Sequence, residues 1–133
     1  MSKLTDEQVK ILHGKHLAYI ATVNLDGSPQ VTPVWVDTDG DAVIMNTAIG
    51  RRKERNIRRD PRVMIAVNDP ANPNATQVLI KGQAKLIEEG ANQVINGLAK
   101  KYLGVDEYPW LQPGERRITI RVVPGSAEPQ QAA

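Results

Sequence analysis

Two Asp-Gly pairs, Asp26-Gly27 and Asp39-Gly40, constrain this chain more than any other feature. Each separates runs rich in β-branched residues, over 16–24, 28–37 and 41–46. Asp-Gly between such runs supplies the backbone of a tight hairpin turn, so the three runs are expected to form an antiparallel meander. A fourth strand is predicted over 62–68, where Val63, Ile65 and Val67 alternate. A fifth covers 76–87, with Gly82 marking a bulge or a close backbone approach. A sixth covers 116–123, with Ile118, Ile120 and Val122 on one face. The fold class is therefore mainly β, with six strands closing into a small antiparallel barrel that leaves no unpaired edge.

Three helices are expected between the strands. Thr5 and Gln8 have capping-box spacing ahead of a short helix over 6–13, which Gly14 stops. Residues 51–59 are helix formers, and Asp60-Pro61 ends the run because a residue before proline is pushed out of the helical region. Over 88–103, Ala91, Val94, Ile95, Leu98, Tyr102 and Leu103 recur at helical spacing, and Gly104 suits the C-terminal turn. Gly97 inside that helix costs about 1 kcal/mol against alanine, which suggests close packing there. Loops are expected at 69–74 and 105–114. The single domain spans 1–125, and 126–133 reads as a polar tail that frays.

Composition closes off several function classes. A chain of 133 residues fits one domain. With no cysteine there is no disulfide, no thiolate chemistry and no Cys-type zinc site. His13 and His16 are too few for a metal site, and a haem reading would have only them as axial ligands. No apolar run approaches the roughly 18 residues of a membrane span, and MSKLTDEQ lacks the apolar stretch of a signal peptide. A cytoplasmic location is the expectation, with no membrane partner.

Charge is concentrated in one place. Residues 51–62 carry six Arg and one Lys against Glu54 and Asp60, a local +5 in a chain whose net charge is +2. Arg51, Arg52 and Lys53 fall in the first helical turn, where the helix dipole opposes cations by roughly 0.3–1 kcal/mol each. Cations and exposed amides together make an anion site. The competing reading is a solvated helix with Glu54 paired to Arg58. Ile57 is the one apolar residue of this helix, so Lys53 beside it is aimed at the protein body. Pro33, within Thr32-Pro33-Val34-Trp35, cannot donate to a ladder and demands an edge, a bulge or a ligand beside the backbone. Trp35 reads as core or pocket wall, and Tyr102, Tyr108 and Trp110 as cover for a pocket mouth, with helix packing the plainer reading for Tyr102.

The stretches HLAYIATVNLDGSPQVTPVWV over 16–36, GRRKERNIRRDPRVMIAV over 50–67 and PGERRITIRV over 113–122 resemble one family. It is that of the flavin and deazaflavin oxidoreductases related to pyridoxamine 5'-phosphate oxidase, and nearest its coenzyme F420-dependent branch. The resemblance covers residues 6–125 and rests most on the R-x-K-x-x-N-x-x-x-D-P-R pattern, with PQVTPVW beside it. It implies a six-stranded Greek-key split β-barrel and a homodimer with two cofactor sites at the interface. It implies that Arg51, Lys53 and Asn56, with Arg52, hold the cofactor phosphate. Gln30, Thr32, Pro33, Val34 and Trp35 would lie along the ring and ribityl chain. Asn46 and Thr47 would flank that chain, and Gln77 and Val78 would come from the partner subunit.

The implied activity is hydride transfer between coenzyme F420 and a small-molecule substrate whose pocket Trp35 and the 105–113 loop would line. A deazaflavin moves hydride from its own ring, so no residue is expected as acid or base. FMN is the alternative cofactor, on an oxidase or reductase. A nucleic-acid module using the Arg-rich helix is the remote reading. It is opposed by the net negative remainder of the chain and by five aromatics that look scattered along the sequence.

Overall fold

The structure is a computed structural model that describes residues 3–69, 71 and 76–131, the side chains of 76, 77 and 126–131 excepted. In chain order the elements are α1 (Asp6–His13), β1 (Ala18–Val23), β2 (Pro29–Val34), β3 (Asp37–Thr38) and β4 (Val43–Ala48). Then come α2 (Arg52–Arg59), β5 (Arg62–Val67), β6 (Thr76–Ile87), α3 (Ala91–Leu103) and β7 (Arg117–Gln131). The strands form one antiparallel sheet in the order β2-β1-β5-β6-β7-β4-β3. The expected 69–74 loop falls largely outside the described residues. No helix among the described residues is long and apolar enough to cross a membrane.

Alternation builds the core directly. Ile20, Ile65 and Ile80 sit opposite one another across β1, β5 and β6, and Ala18, Val67 and Val78 form the next row. Met45 and Ile120, then Val43 and Val122, continue the same face across β4 and β7. All ten are essentially inaccessible to solvent, and burying each Ile or Val side chain stabilises the fold by about 1.5–3 kcal/mol. Leu12 of α1 and Ile57 of α2 plug into this cluster. At the start of α1, Thr5 Oγ1 accepts from the Gln8 amide at 3.1 Å, while Gln8 Oε1 accepts from the Thr5 amide at 2.9 Å.

Three expectations change. The run over 28–37 is not one strand: Pro29–Val34 lies beside β1, while Asp37–Thr38 crosses to the far edge beside β4. The count is therefore seven, and the sheet stays open, a split barrel rather than a closed one. Pro33 explains where β2 sits, since a residue with no amide hydrogen is tolerated on an edge. Second, the tail expected beyond residue 125 is strand as far as Gln131, pairing from Lys81↔Ser126 to Thr76↔Gln131. Main-chain bonds need no apolar alternation, so polar composition hid this extension. The register shifts at Lys81/Gly82. A Cβ on Gly82 would lie 2.7 Å from Val123 O, which is the close approach expected of that glycine.

Third, nothing lies within 4 Å of where a Gly97 side chain would start. That glycine is exposed and packs against nothing. Gly97→Ala is expected to raise stability by about 0.5–1 kcal/mol, the helix-propensity difference, in urea denaturation. A loss of stability would show that the glycine is needed for shape.

Candidate functional site

A cleft of about 280 Å³ opens at the split. Pro33, Val34 and Trp35 at the end of β2 form one wall, and Arg51 and Lys53 at the start of α2 form another. Asn46 and Arg117 lie at the base, with Ile95 and Leu98 of α3, Tyr108 and Trp110 of the α3–β7 loop, and Leu17 completing it. No carboxylate lines it.

The basic wall follows from how α2 begins. Gly50, at φ 100°, turns the chain out of β4, and its amide donates to Glu54 Oε1 at 2.7 Å. Arg51 is the N-cap and makes no side-chain cap bond, so the first amides of the helix are left without that partner. Ile57, 2 % exposed, seats the helix on the core and brings Lys53 round toward the protein body, as its position beside Ile57 predicted. Neither the Arg51 nor the Lys53 side chain makes a hydrogen bond or an ion pair. Burial pushes the Lys53 ammonium down to about 8, and the Arg51 and Arg117 charges push the same way. Cations crowded together at an uncapped helix start are relieved by an arriving anion.

Other arginines of the segment are occupied. Arg58 pairs with Glu54, the helical pair expected from sequence. Arg59 donates to Val23 O and to Asn56 Oδ1, and Arg62 pairs with Asp60 at 2.6 Å. The side chains of Arg52 and Arg55 stay exposed and make no hydrogen bond or ion pair.

The aromatic wall gathers four of the five aromatic residues, which the sequence had made look scattered. Trp35 stacks on Tyr102 with centroids 5.3 Å apart and planes 11° from parallel. Tyr108 meets Trp35 edge-on at 6.1 Å, and Trp110 lies 6.0 Å from Trp35 and 5.8 Å from Tyr108. Beneath them, Arg117 is 3 % exposed. Its Nε donates to Asn46 Oδ1 at 2.9 Å and its Nη1 to Glu115 Oε2 at 3.1 Å, with the Tyr108 ring 5.0 Å away. Asn46 Nδ2 in turn donates to Ala91 O at the start of α3.

Of the residues the resemblance put at a cofactor, Pro33, Val34, Trp35, Asn46, Arg51 and Lys53 converge on this cleft. The others do not line it. Gln30 accepts from Thr22 Oγ1, one turn of pleat further along β2. The hydroxyls of Thr32 and Thr47 are buried without a partner, and Thr47 shares the inward face of β4 with Val43 and Met45. Arg52 borders a separate hollow with Asn24, Leu25 and Asp26. Asn56, expected at the phosphate, is an interior tie: its Nδ2 donates to Thr22 Oγ1 and Asn24 Oδ1. Val78 is fully buried in its own core, so its side chain cannot reach into a partner's site. The Gln77 side chain lies outside the described residues. Among the described residues, no three His, Asp or Glu side chains gather as a metal site.

Arg117 is the residue that sequence reasoning missed. It alternates against Ile118 and Ile120, which places it on the opposite face of β7 and suggests solvent. The packing of α3 through Ala91, Ile95 and Leu98 turns that face into an interior.

An open antiparallel sheet whose cleft joins an uncapped basic helix start to an aromatic wall defines a ligand-binding protein of the split-barrel class. The chain belongs to the pyridoxamine 5'-phosphate oxidase family, which matches residues 4–123, an oxidoreductase-type family with a flavin-binding fold. Among solved structures it is similar to an F420 reductase, 26% identical over 94% of this chain and 98% of that one, with a TM-score of 0.82. It is also similar to a conserved hypothetical protein from Mycobacterium tuberculosis, with 22% identity, coverage of 96% and 85%, and a TM-score of 0.76. HupZ from Group A Streptococcus matches with 20% identity, coverage of 98% and 96%, and a TM-score of 0.71. The last two likenesses concern the fold alone.

Proposed function

We propose that the chain is a coenzyme F420-dependent oxidoreductase, which moves hydride between a deazaflavin held in the cleft and a small organic substrate. The observation that carries this reading is the start of α2. Two unpartnered cations and uncapped amides stand there beside an aromatic wall, in a cleft that no carboxylate lines. That donor set fits a planar ring bearing a phosphate: Trp35 flanks the ring, and Arg51 and Lys53 take the phosphate. When bound, the deazaflavin supplies the hydride chemistry from its own ring. Pro33 and Val34 would border the ring, Asn46 and Arg117, bonded to each other, would hold the base of the cleft, and Tyr108 and Trp110 would exclude water. No residue is assigned as acid or base.

FMN is the second reading, and one observation favours it. With Arg58, Arg59 and Arg62 occupied, only Arg52 and Arg55 of the surplus arginines remain for the anionic tail that coenzyme F420 carries beyond its phosphate. Exposed pairs of this kind contribute about 0–1 kcal/mol each and are screened by salt. On the deazaflavin reading Arg52 and Arg55 still attract that tail, so the deazaflavin is expected to bind more tightly than FMN at low ionic strength, with an advantage that shrinks as salt is added. Titration of both cofactors at low and high salt decides between them. Tighter FMN binding at both salts overturns the deazaflavin reading.

The proposal includes a homodimer. Tyr19, Val31 and Pro33 lie on the outward face of β1 and β2, where Tyr19 pairs with Pro33 and Val31 with Ala21. Val31 is 60 % exposed and Tyr19 48 %. Leu17 and Pro33 border both this face and the cleft, so a second copy seated there completes the rim of the site. Val31→Lys is expected to give a monomer in sedimentation velocity at micromolar concentration, with cofactor affinity falling alongside. A wild-type monomer that binds cofactor would refute the dimer.

A further inference from the structure

The wall at Trp35 has no strand to hold it. β2 ends at Val34 and β3 begins at Asp37, so Trp35 and Val36 form the crossing between the two edges of the open sheet. Val36 is nonetheless fully buried, and its main-chain groups need partners. The last turn of α3 provides them. The Val36 amide donates to Tyr102 Oη at 3.1 Å, and the Val36 carbonyl accepts from Lys101 Nζ at 2.5 Å. The Tyr102 hydroxyl donates its own proton to His16 O at 2.5 Å, just before β1. Lys101 Nζ also reaches Leu12 O at 2.7 Å.

Tyr102 thus touches the same short crossing twice. Its hydroxyl fixes the backbone immediately after Trp35, and its ring lies flat against the indole at 5.3 Å. One face of Trp35 is covered in this way, Tyr108 and Trp110 also lie against the ring, and Trp35 borders the cleft together with those two residues. Helix packing alone would need neither a parallel stack nor a hydroxyl bridging two other elements.

We propose that Tyr102 is a positioning residue: through its stack on Trp35 and its bond to the Val36 amide, it sets the plane against which a cofactor ring lies. This role rests on the cofactor reading above and deepens it. It separates two functions within one cleft. Tyr102 governs how well a ring is received, whereas Arg51 and Lys53 govern the anion.

The test compares Tyr102→Phe, which keeps the ring and removes the hydroxyl, with Tyr102→Leu, which removes both. A Trp110→Phe background leaves Trp35 as the single indole. The probes are the deazaflavin riboside without its phosphate, and inorganic phosphate. Each hydrogen bond lost corresponds to about a two- to tenfold change, so Tyr102→Phe, which frees the Val36 amide beside Trp35, is expected to raise the riboside Kd by at least that factor. Exchange of the Val36 amide is expected to accelerate similarly relative to strand amides such as Ile20, with the phosphate Kd unchanged. Tyr102→Leu is expected to weaken the riboside further and to diminish the near-ultraviolet circular dichroism of Trp35, which Tyr102→Phe preserves.

The proposal is overturned if a folded Tyr102→Leu keeps the wild-type indole band and riboside affinity. It is equally overturned if ring and phosphate weaken together, the mark of general destabilisation. Should the leucine variant fail to fold, the phenylalanine variant decides through Val36 exchange and riboside affinity. If wild-type protein binds neither probe, the cofactor reading fails and takes the positioning role with it, whereas wild-type binding that the Tyr102 variants leave unchanged overturns the positioning role alone.

Discussion

Arg117→Met is expected to lower stability by about 3 kcal/mol, because removing one partner of a buried charge pair leaves the other uncompensated. Glu115 would keep its carboxylate, 13 % exposed, with no guanidinium beside it, and Asn46 Oδ1 would lose its donor. Urea denaturation reads the loss directly. The double variant Arg117→Met, Glu115→Leu is expected to recover most of it, since exchanging a whole buried pair for apolar groups is often neutral or stabilising. A single variant as stable as wild type would show that Arg117 is held for binding alone.

Lys53→Met is expected to act in the opposite sense on the empty protein. Its ammonium, pushed down to about 8 by burial and by the Arg51 and Arg117 charges, is a cost to the folded state at neutral pH. Replacing it is therefore expected to raise stability at pH 7. The sign fixes the window. Between about pH 8 and the ordinary lysine value of 10.5 the unfolded chain holds a proton that the folded one has lost, so wild-type stability rises with pH there. The advantage of Lys53→Met is full below pH 8 and disappears above 10.5. Binding moves the other way: loss of a charged hydrogen bond weakens phosphate or cofactor by about 1.5–3 kcal/mol. Wild-type affinity for a phosphate is expected to fall as pH rises through 8, with proton uptake on binding, measurable by calorimetry in buffers of different ionisation enthalpy. Arg55→Ala, on an exposed and unpartnered side chain, is expected to change phosphate affinity little. Equal losses for the two variants would mean a diffuse charge effect.

The local grammar of the chain was legible wherever one residue type dictates one backbone state. Asp-Gly turns, the Thr5–Gln8 capping box, the Gly82 bulge and the Asp60-Pro61 stop all stand as read. The basic start of α2 was legible because cations are stacked where the dipole disfavours them. What stayed hidden depends on distant partners. Trp35 follows the end of β2 and begins a crossing because Pro33 fixes β2 on an edge, and nothing in residues 28–37 says where the next ladder lies. Strand beyond residue 125 is supplied by the partner strand β6, not by its own composition. Arg52 precedes Lys53, but a helix turns 100° per residue and points it elsewhere, while Asn56, three residues on, is taken up by its bonds to Thr22 and Asn24. Arg117 needed the position of α3 before its burial could be seen.

The place of β7 in the sheet sets an order of events during synthesis. It lies between β6 and β4, so the block β2-β1-β5-β6 and the block β4-β3 share no ladder except through it. It also leaves the ribosome after the other six strands of this sheet. Until it emerges, β6 and β4 each carry an unpaired edge beside apolar rows, a state in which nascent chains stick to one another. The contacts that join the two blocks are long-range, and such closures are slow. Yield of soluble protein in the cell should thus depend on the pairing residues of β7 as well as on those that line the cleft.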